Sequence, residues 1–166
     1  ASYAGIPLTH RDHAQSVVFA TGHLKDNTID LDWPALVQKN QTIVFYMGIT
    51  GLAIIRSKLI EHGMPKDMPI AMVQSATTDK QKVVTGNLDT VQELAESADI
   101  KPPSLIIIGT VVRLREKLNW FKKFLLKIHI TAIPQAQCLW PIYKMACIRN
   151  LLIYYFKIFA LIYQKI

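Results

Sequence analysis

The sequence predicts an α/β domain with a mostly parallel central sheet over its first three quarters, and three observations carry that expectation. Short, β-branched apolar runs alternate with segments of helical periodicity. Several runs, such as Thr42-Ile43-Val44-Phe45-Tyr46 and Ile70-Ala71-Met72-Val73, are too continuously apolar to have a wet face. Gly or Pro punctuates most of the junctions, as at Gly22, Gly48, Gly63, Pro65, Pro103 and Gly109.

Taken in order, the chain opens on Tyr3-Ala4-Gly5-Ile6-Pro7-Leu8, a bent loop, and then sets Thr9, His10 and Arg11 side by side. By residue type this trio is a surface loop. It also suits an anion, since arginine grips carboxylates bidentately. Ser16 to Ala20 reads as a buried strand ending at Thr21-Gly22-His23. Lys25 to Asp32 is polar loop, and Asp32 is placed to cap a short helix over Trp33 to Lys39 with Pro34 in its first turn. The strand Thr42 to Tyr46 ends at Met47-Gly48. Thr50 is placed to cap a helix whose Leu52, Ile55, Leu59 and Ile60 share one face, closed by His62-Gly63 with Pro65 beyond. Ile70 to Val73 is a strand broken at Gln74-Ser75-Ala76-Thr77-Thr78. Lys82 to Thr85 is a strand turned by Gly86-Asn87, and Asp89 to Ala98 a helix with Val91, Leu94, Ala95 and Ala98 inward. Ser104 to Ile108 is the last strand, and Val111 to Phe121 a basic helix. Ligands of such sheets gather at the carboxyl ends of strands, here Met47-Gly48, Ser75-Ala76-Thr77 and Gly109-Thr110.

Charge divides the chain. Twelve Lys/Arg balance twelve Asp/Glu up to Phe121, so the whole excess of +7 lies in residues 122–166, which hold no acid and no glycine. A boundary near Phe121 follows, with residues 1–121 as one domain and 122–166 as a basic, apolar tail. The confinement of the charge to the tail removes the case for nucleic acid. The thirteen-residue run Leu151 to Tyr163, interrupted by Lys157, is shorter than the ~20 residues of a transmembrane span. It suits a membrane interface as a basic helix, but its composition also reads as translation of A/T-rich sequence in a wrong or non-coding frame. Cys138 and Cys147 have no metal or redox spacing, and His10, His13 and His23 match no metal pattern, so no metal is expected. No signal peptide is expected, and the first 121 residues are expected to be cytoplasmic. Met64, Met68 and Met72 read as gap-filling apolar residues. No nucleophile-and-base constellation and no glycine-rich phosphate loop is legible.

Five blocks in order, Tyr3-Ala4-Gly5-Ile6-Pro7-Leu8-Thr9-His10-Arg11, Val44-Phe45-Tyr46-Met47-Gly48, Lys58-Leu59-Ile60-Glu61-His62-Gly63-Met64-Pro65, Pro103-Ser104-Leu105-Ile106-Ile107-Ile108-Gly109 and Leu114-Arg115-Glu116-Lys117-Leu118-Asn119-Trp120-Phe121, closely resemble the carboxy-terminal half of the uroporphyrinogen-III C-methyltransferases. These are tetrapyrrole methylases that also form the carboxy-terminal part of sirohaem synthase. The resemblance implies an α/β carboxy-terminal domain with a mostly parallel or mixed sheet flanked by helices. It implies S-adenosyl-L-methionine as cofactor, with S-adenosyl-L-homocysteine as product, and uroporphyrinogen III as substrate, methylated at two ring carbons to precorrin-2 on the way to sirohaem and cobalamin. A homodimer is implied for the full-length family. By matching position, Met47, Ala76 and Thr77 are implied as cofactor-binding, and Arg11, with His10 and Thr9, as substrate-binding. Thr110 stands where the family usually has arginine. The family's acid/base residues belong to its amino-terminal domain, so no catalytic residue is expected in this chain, which is expected to be inactive alone. The alternative reading is a non-catalytic membrane-surface or interaction protein built on a decayed enzyme domain. A sister methylase acting on a later precorrin is a third reading, against which the Pro7-to-Arg11 and Phe45-to-Gly48 blocks argue.

Overall fold

The computed structural model describes residues 1–22 and 29–120, within the first of the chain's two units, Ala1–Phe124. The readings of His23, both cysteines and the basic tail therefore lie outside the described residues.

Five strands form one sheet in the order β1-β2-β5-β3-β4: β1 Ser16–Thr21, β2 Gln41–Tyr46, β3 Pro69–Gln74, β4 Lys82–Asn87 and β5 Ser104–Ile108. The helices are α1 Trp33–Leu36, α2 Leu52–Glu61, α3 Val91–Ser97 and α4 Arg115–Leu118. The sheet is mixed, the second of the two expected forms. Only β1 and β2 pair in parallel, with the short helix α1 lying between them in sequence. β5 inserts between β2 and β3 antiparallel to both, and β3 pairs antiparallel with β4. The connection from β3 to β4 is too short for a parallel crossover, which needs a dozen residues or more.

Period-two alternation sorts the strand side chains between two cores. On one face Ile43, Phe45, Ile70, Met72, Ile106 and Ile108 meet the helices through Trp33, Leu36, Leu52, Ile55, Leu59, Val91 and Ala95. On the other, Ala71, Val73 and Ile107 are covered by the amino-terminal segment (Ala4, Ile6, Ala14) and by Val111 and Val112 of a 3-10 segment, Thr110–Leu114. The basic helix expected over Val111 to Phe121 is thus a 3-10 segment followed by one helical turn. β1 was expected to be buried. It is an edge strand whose Val18 and Ala20 reach the helical core while Phe19 stands 57% exposed.

Helix boundaries follow their chemistry. Asp32 accepts from the Ala35 N–H at 3.2 Å, so the expected cap is present, although α1 stops at Leu36. Thr50 does not cap α2; Gly51 takes that position without a side-chain bond. At its other end, Gly63 at φ +99° lets its own N–H reach the Ile60 carbonyl and the Met64 N–H reach that of Leu59. That pair of bonds is the Schellman closure, and His62 Nδ1 lies 2.8 Å from the Lys58 carbonyl oxygen.

Candidate cofactor site

The antiparallel insertion of β5 decides which residues share an edge. Tyr46 is paired with Leu105 and Gln74 with Ser104, so the carboxyl ends of β2 and β3 meet the amino end of β5. The third expected strand end, Gly109-Thr110, lies at the opposite edge, because β5 runs the other way. Pro103-Ser104-Leu105 takes its place.

Three non-glycine residues at this edge are in the left-handed region: Met47 at φ +52°, Ser75 at +47° and Thr77 at +70°. Each such residue costs about 1–2 kcal/mol, and such strain persists where the surroundings over-determine it. The surroundings are on view. The Gly22 N–H donates to the Tyr46 carbonyl (2.8 Å), just before Met47. Just after it, Gly48 lies so close that a Cβ on Gly22 would stand 2.6 Å from its Cα. Met47 is therefore clamped on both sides by one glycine of the neighbouring strand's end. The Ser75 N–H donates to the Pro103 carbonyl (2.9 Å), and the Ser75 carbonyl accepts from the Thr78 hydroxyl (2.7 Å). The Thr77 N–H donates to Gln81 Oε1 (2.9 Å).

Beside these turns opens a cleft of about 680 Å³, lined among others by Ala1, Tyr46, Ser75, Ala76, Thr78 and Ser104. Of the three residues expected to meet a cofactor, Ala76 lines this cleft. Met47 and Thr77 are the chain neighbours of lining residues. Met47 is 58% and Tyr46 51% exposed, and Tyr46 stacks on Phe19 with centroids 6.1 Å apart. Tyr46 and Met47 thus present an aromatic ring and a thioether at this edge, while Asp79 and Lys80 add charge to the cleft lining. Ser104 Oγ is buried without a hydrogen-bond partner. Sequence reading placed Ser75 at an expected ligand edge but did not single out Tyr46 or Ser104. Tyr46 and Ser104 sit inside apolar strands, and only the register of β2, β3 and β5 brings them together.

Thr9, His10 and Arg11 are elsewhere. His10 and Ala14 exchange backbone bonds of 2.8 and 2.9 Å, Gln15 donates to the Asn40 carbonyl, and the Thr110 hydroxyl donates to the His13 carbonyl (3.2 Å). Asn40 precedes β2 and Thr110 follows β5, so the trio is anchored at the other edge, a strand length of about 17 Å from Met47. There His10 Nδ1 accepts from the Asp12 N–H (3.2 Å), the His10 and His13 rings lie 5.2 Å apart, and Arg11 is exposed. Among the described residues no group of three or more His, Cys, Asp or Glu could hold a metal ion, and no helix is long and apolar enough to cross a membrane.

An α/β sheet with a cleft at the ends of its strands has the arrangement in which small molecules are usually bound. Comparison with known proteins makes this particular. The family model for tetrapyrrole (corrin/porphyrin) methylases matches residues 1–92, and the chain belongs to that family. It is 69% identical over 121 residues to a siroheme synthase of Pseudoalteromonas atlantica and 60% identical over 121 residues to one of Nitrosomonas europaea, in each case 73% of this chain and 26% of the relative. A solved uroporphyrin-III C-methyl transferase of Thermus thermophilus, complexed with S-adenyl homocysteine, superposes with a TM-score of 0.59 at 30% identity, over 68% of this chain and 49% of that one. The chain thus spans about a quarter of the length of these curated relatives and about half of the solved enzyme.

Proposed function

We propose that residues 1–121 form one wall of an S-adenosylmethionine-dependent methyltransferase that acts on uroporphyrinogen III. The observation that carries this is the convergence of Met47 and the pair Ala76-Thr77, from two stretches far apart in sequence, on one sheet edge beside a cleft. The volume is in the range of small-molecule sites, and the rim suits a ligand that is partly apolar and carries a soft cation. Met47 and Tyr46 offer polarisable surface to a sulfonium.

Bound there, S-adenosylmethionine supplies an electrophilic methyl group. The chain's own residues bind and orient: the left-handed turns at Met47 and at Ser75–Thr77 point strand-end backbone at the ligand, and Pro103-Ser104-Leu105 closes the floor. Positioning of this kind lowers the barrier of a bimolecular transfer by removing its entropic cost beforehand. Arg11 serves the substrate separately. It is exposed at the far edge and suited to the carboxylates of an acidic tetrapyrrole. Asp79 and Lys80 also line the cleft, but the chain spans only about half of the solved enzyme, so the chain alone is not expected to turn over.

The test is a radiolabelled methyl-transfer assay with uroporphyrinogen III, run beside ultraviolet cross-linking of labelled S-adenosylmethionine. The expected result is no turnover by the chain alone, with label on peptides containing Tyr46–Gly48 or Ser75–Thr78. Turnover above background refutes the incompetence of the chain, and label confined to other peptides refutes the site.

A further inference from the structure

We infer that Gln81 is a positioning residue that fixes the geometry of the cofactor cleft by tying two of its walls together, an inference that rests on the cofactor reading above. Gln81 sits half-buried between the Ser75–Thr78 turn and β4. Its Oε1 accepts from the Thr77 N–H at 2.9 Å, and its Nε2 donates to the Tyr3 carbonyl at 3.0 Å across 78 residues of sequence. Its own N–H donates to the Thr78 carbonyl at 3.1 Å, which orients the side chain back over the turn.

Both ends of this tie reach the cleft. Thr77 lies between the lining residues Ala76 and Thr78, and Tyr3 belongs to the 3-10 turn Ser2–Ala4 that places the lining residue Ala1. That turn is braced on its other side by Trp120, whose ring lies 5.4 Å from Tyr3 and whose Nε1–H donates to the Ser2 carbonyl at 3.1 Å. Gln81 therefore joins a braced segment to an exposed and strained one. A β-branched residue at φ +70° is a rare conformer that relaxes unless something holds it, and the acceptor of Gln81 holds the N–H of that residue.

Only a side chain with one donor and one acceptor at this reach makes both bonds. Glutamate keeps the acceptor for Thr77 but sets a carboxylate against the Tyr3 carbonyl, and methionine keeps the length and loses both bonds. Gln81→Met, Gln81→Glu and, as a control on α3 away from the cleft, Gln92→Met are compared in the full chain by amide hydrogen exchange and by titration with S-adenosylhomocysteine, followed by NMR. In Gln81→Met the Thr77 amide is expected to exchange about fivefold faster, and affinity to fall by at least about fivefold, the worth of one neutral hydrogen bond or more. Gln81→Glu is expected to keep Thr77 protected while losing part of the affinity, and Gln92→Met to match the wild type.

Equal affinity in wild type and Gln81→Met overturns the positioning role while leaving the cofactor site standing. Absence of binding by the wild type overturns the cofactor reading itself, and any change in Thr77 exchange then marks a purely structural tie. If Gln81→Met does not fold, the split between exchange and affinity in Gln81→Glu decides, and loss of Thr77 protection in that variant contradicts the inference.

Discussion

Replacement of Met47 by glycine and by alanine should invert the usual order of stability. At an ordinary position alanine is the more stable of the two, because glycine adds about 0.4–1 kcal/mol of unfolded-chain entropy. Met47 is held at φ +52°, where a side-chain-bearing residue pays about 1–2 kcal/mol that glycine does not. Both variants lose the same partly buried side chain, since Met47 is 58% exposed, and that loss cancels between them. The difference leaves Met47→Gly more stable than Met47→Ala by about 0.5–1 kcal/mol. Ile54, in the first turn of α2 and 41% exposed, supplies the contrast: there glycine should be less stable than alanine by up to about 1 kcal/mol. Urea denaturation of the four variants measures both differences. Both Met47 variants should also lose affinity for S-adenosylhomocysteine, so Met47→Gly would keep its fold while losing its ligand. Met47→Gly less stable than Met47→Ala would refute the claim that this backbone is held in strain by its neighbours.

Phe45 is wholly buried among the helices and the sheet, so Phe45→Ala should cost about 3–5 kcal/mol in chemical denaturation; a loss below 1.5 kcal/mol would contradict that packing. A Cβ on Gly22 would meet the Gly48 backbone at 2.6 Å, so Gly22→Ala should destabilise by about 1–3 kcal/mol and move the amide resonances of Met47 and Gly48. Unmoved resonances there would dispose of the clamp. The Glu61 carboxyl is held below its ordinary range by its hydrogen bond from Lys58 (2.9 Å) and by that residue's charge. A lowered folded-state value means its contribution is present above the unfolded carboxyl's range and lost as pH falls through the lower, folded one. Acid titration of stability should therefore be slightly shallower below about pH 4.5 in Glu61→Gln than in the wild type, and identical curves would show that the pair contributes nothing.

What the sequence made legible follows the strength of local signals. The apolar runs of β2, β3 and β5 and the periodic face of α2 are strong patterns, and Gly63 followed by Pro65 marked the end of α2 with its Schellman closure. The weaker elements moved. β1 looked like a buried strand because Val17, Val18 and Phe19 are apolar, yet an edge strand buries one face and leaves the other partly open. Strand direction left no trace in composition, so the mixed sheet emerged only from pairing, and with it the exchange of Gly109-Thr110 for Pro103-Ser104-Leu105 at the ligand edge. The same limit explains the trio at Thr9 to Arg11. Residue types identified an anion-competent group, but which end of the sheet it occupies depends on the path of the amino-terminal segment across the second core, through Ala4, Ile6 and Ala14. Gln81 carried no signal at all, because its partners, Thr77 and Tyr3, are near and far in sequence and only the fold sets both within reach.

The most direct measurement is a titration of the isotopically labelled chain with S-adenosylhomocysteine, read as amide shift changes residue by residue. Saturable changes at Tyr46 to Gly48 and at Ser75 to Thr78, with Thr9 to Arg11 silent, are the predicted result. Changes confined to the opposite edge, or none at concentrations that saturate the full-length relatives, would contradict the placement of the cofactor at the ends of β2 and β3.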